Sequence, residues 1–172
     1  KASVTDLLNN HKIKDTLVNP TSSPQTVTYV VVPRSLSSCS GSAVNIVVTV
    51  NPTPMVSGLN QKPYICDGNS TLIQLSTVTT PATGVTYDYN VMSSGNVFGF
   101  ITPMTSLPND HVITDTLLNF TNSPQNITYS VIPHAAGCTG SAVPFKVIIN
   151  PTPILNSSYS SQSICSATPP SF

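Results

Sequence analysis

Four cysteines, three histidines and six aspartates are the residues of this chain whose types could do chemistry, in a sequence of 172 residues with no glutamate. The cysteines, Cys39, Cys66, Cys138 and Cys165, show no Cys-x-x-Cys spacing. Zinc held by thiolates uses such close pairs, so these cysteines read as disulfide formers in an oxidising compartment. Nucleophilic catalysis requires a nucleophile, a base and a group that orients the base. His11 and His111 stand in the same local text one hundred positions apart, which fits a structural or surface role, and His134 has Arg34 as its counterpart. Neither an enzyme nor a cofactor is expected. Calcium between extracellular domains needs several carboxylates at one joint. Only Asp67 lies near a candidate joint, and it reads as a solvated surface carboxylate.

What positions these residues is a repeat. His11, Ile13, Asp15-Thr16-Leu17, Asn19, Ser23-Pro24-Gln25, Thr28-Tyr29, Val31 and Pro33 recur one hundred positions later. Beyond Pro33 the second copy drops one residue, so Cys39, Gly41 to Val44 and Asn51-Pro52-Thr53-Pro54 recur as Cys138, Gly140 to Val143 and Asn150 to Pro153. A period near one hundred residues is domain-sized, because a unit of that length can close its own core. The expected organisation is 1–51, the C-terminal half of one repeat; 52–150, a complete repeat; and 151–172, the start of the next.

Composition narrows the function classes. Charged residues are 7% of the chain, six basic against six acidic. Lys1, Lys12, Lys14, Arg34, Lys62 and Lys146 are too few and too scattered to displace counterions from nucleic acid. Ser and Thr make up roughly a quarter of the sequence, a bias towards β-rich extracellular modules. Hydrophobic residues at 39% support a folded core. The apolar runs, such as Val44 to Val50, are strand-length, so no insertion in a bilayer is expected.

Alternation places the strands. Val27, Tyr29 and Val31, copied as Ile127, Tyr129 and Val131, put one face of a strand in the core, with Pro33 and Pro133 expected to stop it. A Gly- and Ser-rich hairpin carrying Cys39 or Cys138 leads to a last strand in which Val44, Ile46, Val48 and Val50 alternate, matched by Val143, Phe145, Val147 and Ile149. Asn-Pro-Thr-Pro then ends the ladder and reads as a semi-rigid interdomain joint. Ile13 to Leu17 and Ile113 to Leu117 read as short strands, and the complete unit adds strands around Met55 to Ser57, Thr71 to Val78 and Val85 to Val91. About seven strands with no helical period predict an all-β fold of tandem immunoglobulin-like sandwiches, without the Cys and Trp hallmarks of antibody domains. The expected core includes Val85, Tyr87, Tyr129, Val131, Phe145 and Val147.

The disulfide connectivity stays open at this level. Pairing Cys66 with Cys138 leaves every repeat self-sufficient and is preferred, although ordinary sandwich topology puts these positions at opposite poles. Pairing Cys39 with Cys66, and Cys138 with Cys165, centres each bond on an Asn-Pro-Thr-Pro, where two prolines suit an extended linker better than a turn. A bond across a domain boundary to a repeat outside this sequence is the third arrangement.

Asp-Thr-Leu, Ser-Pro-Gln, a Thr-Tyr strand, Gly-Cys-Thr-Gly (Ser-Cys-Ser-Gly in the first copy) and Asn-Pro-Thr-Pro, in this order in both copies, resemble the PKD-like or Ig-like repeats of giant Bacteroidota surface adhesins. SprB-type gliding-motility adhesins, exported by the type 9 secretion system, carry such repeats. Asn119 to Cys138 with Gly140 is the closest match, while Arg34 to Cys39 departs by lacking the Gly before Cys. The resemblance implies an extracellular, cell-surface stalk whose partners are neighbouring repeats, with surface polysaccharide or other outer-surface proteins as further candidates. It also implies O-linked glycans on Thr16 and Thr116, whose Asp-Thr-Leu matches an Asp-Ser/Thr-apolar sequon of exported proteins in that group. Asn69, Asn119, Asn126 and Asn156 head Asn-x-Ser/Thr sites that compete only where N-glycosylation operates. The alternative to a stalk is a glycan-binding module, which needs an exposed aromatic platform drawn from Tyr64, Tyr87, Tyr89, Phe98 and Phe100, or a repeat of another extracellular filament or surface-layer protein.

Overall fold

The structure, a computed structural model, describes residues 7, 8, 10–37, 39–81, 84–155, 166 and 167. The described residues contain strands and no helix. β1 (Gln25–Val31) and β2 (Val44–Val50) form an antiparallel hairpin in which Tyr29 stands opposite Ile46. The rest of the chain builds a sandwich from β3 (Leu59–Asn60), β4 (Tyr64–Cys66), β5 (Ile73–Gln74), β6 (Thr86–Ser93), β7 (Val97–Phe98), β8 (Met104–Pro108), β9 (Val112–Ile113), β10 (Leu118–Asn119), β11 (Gln125–Ala135), β12 (Cys138–Thr139) and β13 (Val143–Asn150). One sheet runs β4-β13-β11-β6-β8, with β12 paired to β11, and the opposing layer holds β3-β5-β9 and the β7–β10 ribbon. β4 joins its sheet parallel to β13, with Cys66 opposite Asn150.

The alternation read from sequence fills the space between the layers. Tyr87, Tyr129, Val131, Val147, Ile127 and Ile149 are fully buried, and Val85 and Phe145 nearly so. Each large apolar side chain removed from water contributes roughly 1.5–3 kcal/mol, which is what holds two thin sheets together. Tyr89 meets Tyr129 edge to face with ring centroids 5.6 Å apart.

The hairpin β1–β2 repeats the β11–β13 pairing residue for residue. Tyr29↔Ile46 becomes Tyr129↔Phe145, and Gln25↔Val50 becomes Gln125↔Ile149. The first copy's apolar face was expected to be buried, yet Val31, Ile46 and Val48 are exposed. In the sandwich the equivalent face of β11 and β13 is covered by the opposing β3-β5-β9 layer.

Several strand expectations are corrected. Pro133 does not stop its strand: β11 continues through it to Ala135, and its pairing with β6 runs from Ile127 to His134. The Pro133 carbonyl accepts from Gly140 N at 2.8 Å. The N and O of one strand residue point to the same side, so the missing donor falls where the ladder is already interrupted between β12 and β13. Ile113 to Leu117 is not one strand, because the chain there changes partner: β9 pairs with β5, β10 with β7, and Thr116 makes a lone bridge to Ser70. Met55 to Ser57 makes only a single backbone bond, Ser57 N to Ser76 O, and the ladder begins at Leu59. Of Thr71 to Val78 only Ile73–Gln74 is laddered; Thr71 N and Leu75 N donate instead to the Asp115 and His111 carbonyls.

Candidate functional site

Asp115, Thr116 and Leu117 sit where the chain passes from one sheet partner to the next. The Asp115 carboxylate is buried and accepts the Tyr129 hydroxyl at 2.8 Å and the Ile101 amide at 3.3 Å. Burial, then the Asp115 charge and this hydrogen bond, push the Tyr129 hydroxyl far above the ordinary tyrosine range. The first copy repeats the bond, Tyr29 Oη to Asp15 Oδ2 at 2.9 Å, but in an exposed setting. Thr116 and Thr16 are exposed, and Thr116 Oγ1 lies 2.9 Å from Ser70 Oγ. So within Asp-Thr-Leu the acid and the Leu117 side chain face the core while the hydroxyl faces outward. Gly99 packs against this segment: a Cβ there would lie 2.1 Å from the Thr116 carbonyl oxygen.

Asn119 is a second structural polar group. Its Nδ2 donates to the Ser123 and Ile149 carbonyls at 2.9 and 3.0 Å, and its Oδ1 accepts from Thr121 N and Oγ1. Asn19 makes the same set with Ser23, Val50 and Thr21. With both amide donors used and the side chain buried, Asn119 is corrected from a glycan acceptor to a turn clamp. Asn69 and Asn126 are exposed, and Asn156 lies outside the described residues.

The sandwich has a head, where the chain arrives through Asn51–Pro54, and a tail, where it leaves through Asn150–Pro153. Pro52 and Pro54 are buried, and Gly140 is so close to Pro54 that a Cβ would lie 2.0 Å from its carbonyl oxygen. The β11–β12 hairpin is therefore at the head. Its turn, Ala136-Gly137, has φ of 49° and 77°, both in the left-handed region, as a two-residue type I′ connection requires. The residue dropped from the second copy is lost here, since the first copy spans Ser35 to Cys39, bonded N to O at 2.9 Å, with three residues rather than two between them.

Cys66 and Cys138 thus stand at opposite ends of β13. Its 8 residues, at about 3.3 Å each, keep them at least roughly 20 Å apart, against the ~4.4–6.8 Å between Cα atoms that a disulfide spans. The single-repeat pair does not fit this geometry, and none of Cys39, Cys66 and Cys138 is bonded to another. Cys39 with Cys66 fails for the same reason, one lying at the far end of the β1–β2 hairpin and the other at the tail of the sandwich. Cys165 lies outside the described residues.

Asp67 is not a free surface carboxylate: its Oδ1 accepts Asn119 N at 2.8 Å and its Oδ2 accepts Thr152 Oγ1 at 3.4 Å, tying the tail to the outgoing connector. His134 lies beside Asp88, Nε2 to Oδ2 at 3.2 Å, and its Nδ1 is 3.1 Å from Thr139 Oγ1. Cys138 pairs with Ala135 and so points to the other face of the hairpin from His134. His134 and Cys138 border one open cleft from these two faces, and Asp88 does not line it. Among the described residues no group of three or more His, Cys, Asp or Glu is placed to hold a metal ion, and no helix is long and apolar enough to cross a membrane.

Sequence reading missed Asp115 and Asn119 as buried structural groups. The signal was present, since Asp15–Tyr29 and Asp115–Tyr129 share one 14-residue separation and Asn19 recurs as Asn119. With a twice-stated hairpin and an Ig-like sandwich in hand, comparison with known families is decisive: a family model of the PKD-like domain matches residues 2–54 and again residues 63–153. The chain belongs to the PKD-like domain family. PKD-like domains are Ig-like modules, generally non-catalytic and typically extracellular. No curated protein matches this PKD-like chain.

Proposed function

We propose that this PKD-like chain is a length of stalk from a giant secreted cell-surface adhesin of the gliding-motility type, exported by type 9 secretion. Residues 1–51 are the back half of one repeat, 52–150 a complete repeat and 151–172 the start of the next. The observation that supports a load-bearing spacer is the joint. Thr80 N and Oγ1 both donate to the Ser22 carbonyl, at 2.8 and 3.2 Å, across a connector whose two prolines are buried. Such a joint resists bending more than a free Pro-Thr-Pro linker does. Small-angle scattering tests it. Duplicating the complete repeat, as residues 1–153 followed directly by 55–172, should lengthen the particle by roughly 30–40 Å, the span of the 11 residues of β11. An unchanged maximum dimension would end the stalk reading.

The outward-facing Thr16 and Thr116 are the proposed O-glycan acceptors of this stalk. Their sugars would shield a weakly charged surface from aggregation. Intact-glycopeptide mass spectrometry on native material, with Thr16→Ala and Thr116→Ala as controls, decides the matter, and unmodified peptides at both sites would refute it.

One observation favours the second reading, a glycan-binding module. Phe98 and Phe120 are 51% and 74% exposed with ring centroids 5.6 Å apart, the kind of platform on which a sugar ring stacks. Pro20 stands in the place of Phe120 in the first copy, so the platform is not a common feature of the repeats. Saturable binding of this chain on a glycan array, lost in Phe120→Ala, would replace the spacer with the binder.

A further inference from the structure

The cysteines occupy two repeat positions, one at each pole. Cys39 and Cys138 sit in the head hairpin; Cys66 sits at the tail, and its copy is Cys165. The turn after Cys66, with Gly68 at φ 77°, recurs after Cys165, with Ala167 at φ 68°. Each pole presents two elements beside its connector. At the tail these are the Cys66–Asn69 turn and the Asn119–Ser123 turn, joined to each other by the Asn119 N to Asp67 bond. At the head they are the Thr77–Thr80 loop, whose Thr79 hydroxyl takes Met55 N at 3.4 Å, and the Cys138 hairpin seated on Pro54.

The joint within this chain shows how poles meet. Ser22, the first-copy counterpart of Asn122 in the Asn119–Ser123 turn, bonds Thr80 of the head loop. In a complete joint engaged through that same pair, the remaining tail element would stand opposite the remaining head element, and each carries a cysteine. Both positions are open to a partner: Cys66 is exposed and lines a cleft with Lys62, Tyr64, Asn69 and Asn150, and Cys138 lines a second cleft with Gly84, Thr86 and Thr139. The bond within one repeat is excluded by the length of β13, so the only cysteines sharing a joint are the tail cysteine of one repeat and the hairpin cysteine of the next.

We propose that Cys66 forms a disulfide with the hairpin cysteine of the following repeat, and Cys138 with the tail cysteine of the preceding one, so that every joint is stapled. The inference rests on the tandem-array reading above. In the chemical step one cysteine thiolate attacks the disulfide of a thiol oxidase, forming a mixed disulfide and releasing one oxidase thiolate. The second cysteine thiolate then displaces the other oxidase sulfur. Two protein thiols lose two protons and two electrons, and the oxidase disulfide is reduced to a dithiol.

The duplicated chain, residues 1–153 followed by 55–172, contains one complete joint with both thiols and provides the test. After oxidation with a glutathione redox buffer, non-reducing peptide mapping should find Cys66 of the first copy linked to Cys138 of the second. Cys66→Ser in the first copy alone should abolish the link, and the same change in the second copy should leave it. Free thiols at both positions, a link within one copy, or a link indifferent to which copy is substituted would overturn the staple. Scattering on the same sample separates the two readings, since a lengthened particle with free thiols leaves the array standing and removes only the bond. Should the duplicated chain not fold, mapping the native surface protein decides: linked tail and hairpin peptides from adjacent repeats support the staple, and their absence refutes it.

Discussion

Tyr129 donates its hydroxyl to Asp115 Oδ2 at 2.8 Å inside the core, whereas the equivalent Tyr29, only half-buried, makes the same bond to the exposed Asp15 at 2.9 Å. The two copies therefore offer one hydrogen bond in two environments. Tyr129→Phe leaves a buried carboxylate short of a partner and is expected to cost about 1–3 kcal/mol, while Tyr29→Phe, at a bond open to water, should cost clearly less. Tyr129→Ala, which also opens a cavity, should cost ~3–5 kcal/mol. Urea denaturation of the three variants checks the order, and a Tyr129→Phe midpoint equal to that of the parent would contradict it.

Alkaline pH should unfold the sandwich earlier than its neutral stability suggests. Burial first, then the charge of Asp110 for Tyr87 and of Asp115 for Tyr89, pushes both hydroxyls from 10.0 up to about 12. A folded pKa raised above the unfolded one means this contribution to stability is complete below pH 10 and is lost as pH rises from 10 towards about 12. Denaturation midpoints measured from pH 8 to about 11.5 should be flat and then fall, and Tyr87→Phe should make the fall shallower. A flat profile throughout would mean that these hydroxyls are not held neutral by the fold.

Gly99 should tolerate no side chain. It combines a φ of 87° with a Cβ position 2.1 Å from the Thr116 carbonyl oxygen and 3.7 Å from Leu117 Cα, all backbone that cannot step aside. Gly99→Ala is expected to lose at least about 2 kcal/mol. Gly95→Ala, also at positive φ but with nothing within 4 Å, should lose less and serves as the control. Equal thermal midpoints for the two variants would refute the close-approach argument.

The head hairpin should be improvable. Ala136 holds a φ of 49° ahead of Gly137 in a two-residue turn, a conformation that Asn adopts more readily than Ala. Ala136→Asn is expected to raise stability by about 0.5 kcal/mol without altering the β11–β12 register. A decrease in thermal midpoint would show that the alanine side chain is needed where it is.

What the sequence by itself determined is everything that depends on neighbours along the chain. The period near one hundred, the buried phase of Ile127, Tyr129 and Val131, and the matching phase of Phe145 and Val147 follow from a pleat that sends successive side chains to opposite faces. Only the tertiary structure decided what depends on who lies across the sheet. Pro133 stays in a strand because its missing donor meets a gap in the ladder rather than a partner. Asp115 is a core acid rather than a surface one because Tyr129 on β11 and the Ile101 amide in the β7–β8 connection reach it. Cys66 and Cys138 are parted because β4 adds to β13 in parallel, which fixes Cys66 beside Asn150 at the tail while β12 holds Cys138 at the head. Periodicity is local and is written in the residue order; pole and partner are set by long-range pairing, and the chain's residue order alone does not encode them in any pattern that can be read position by position.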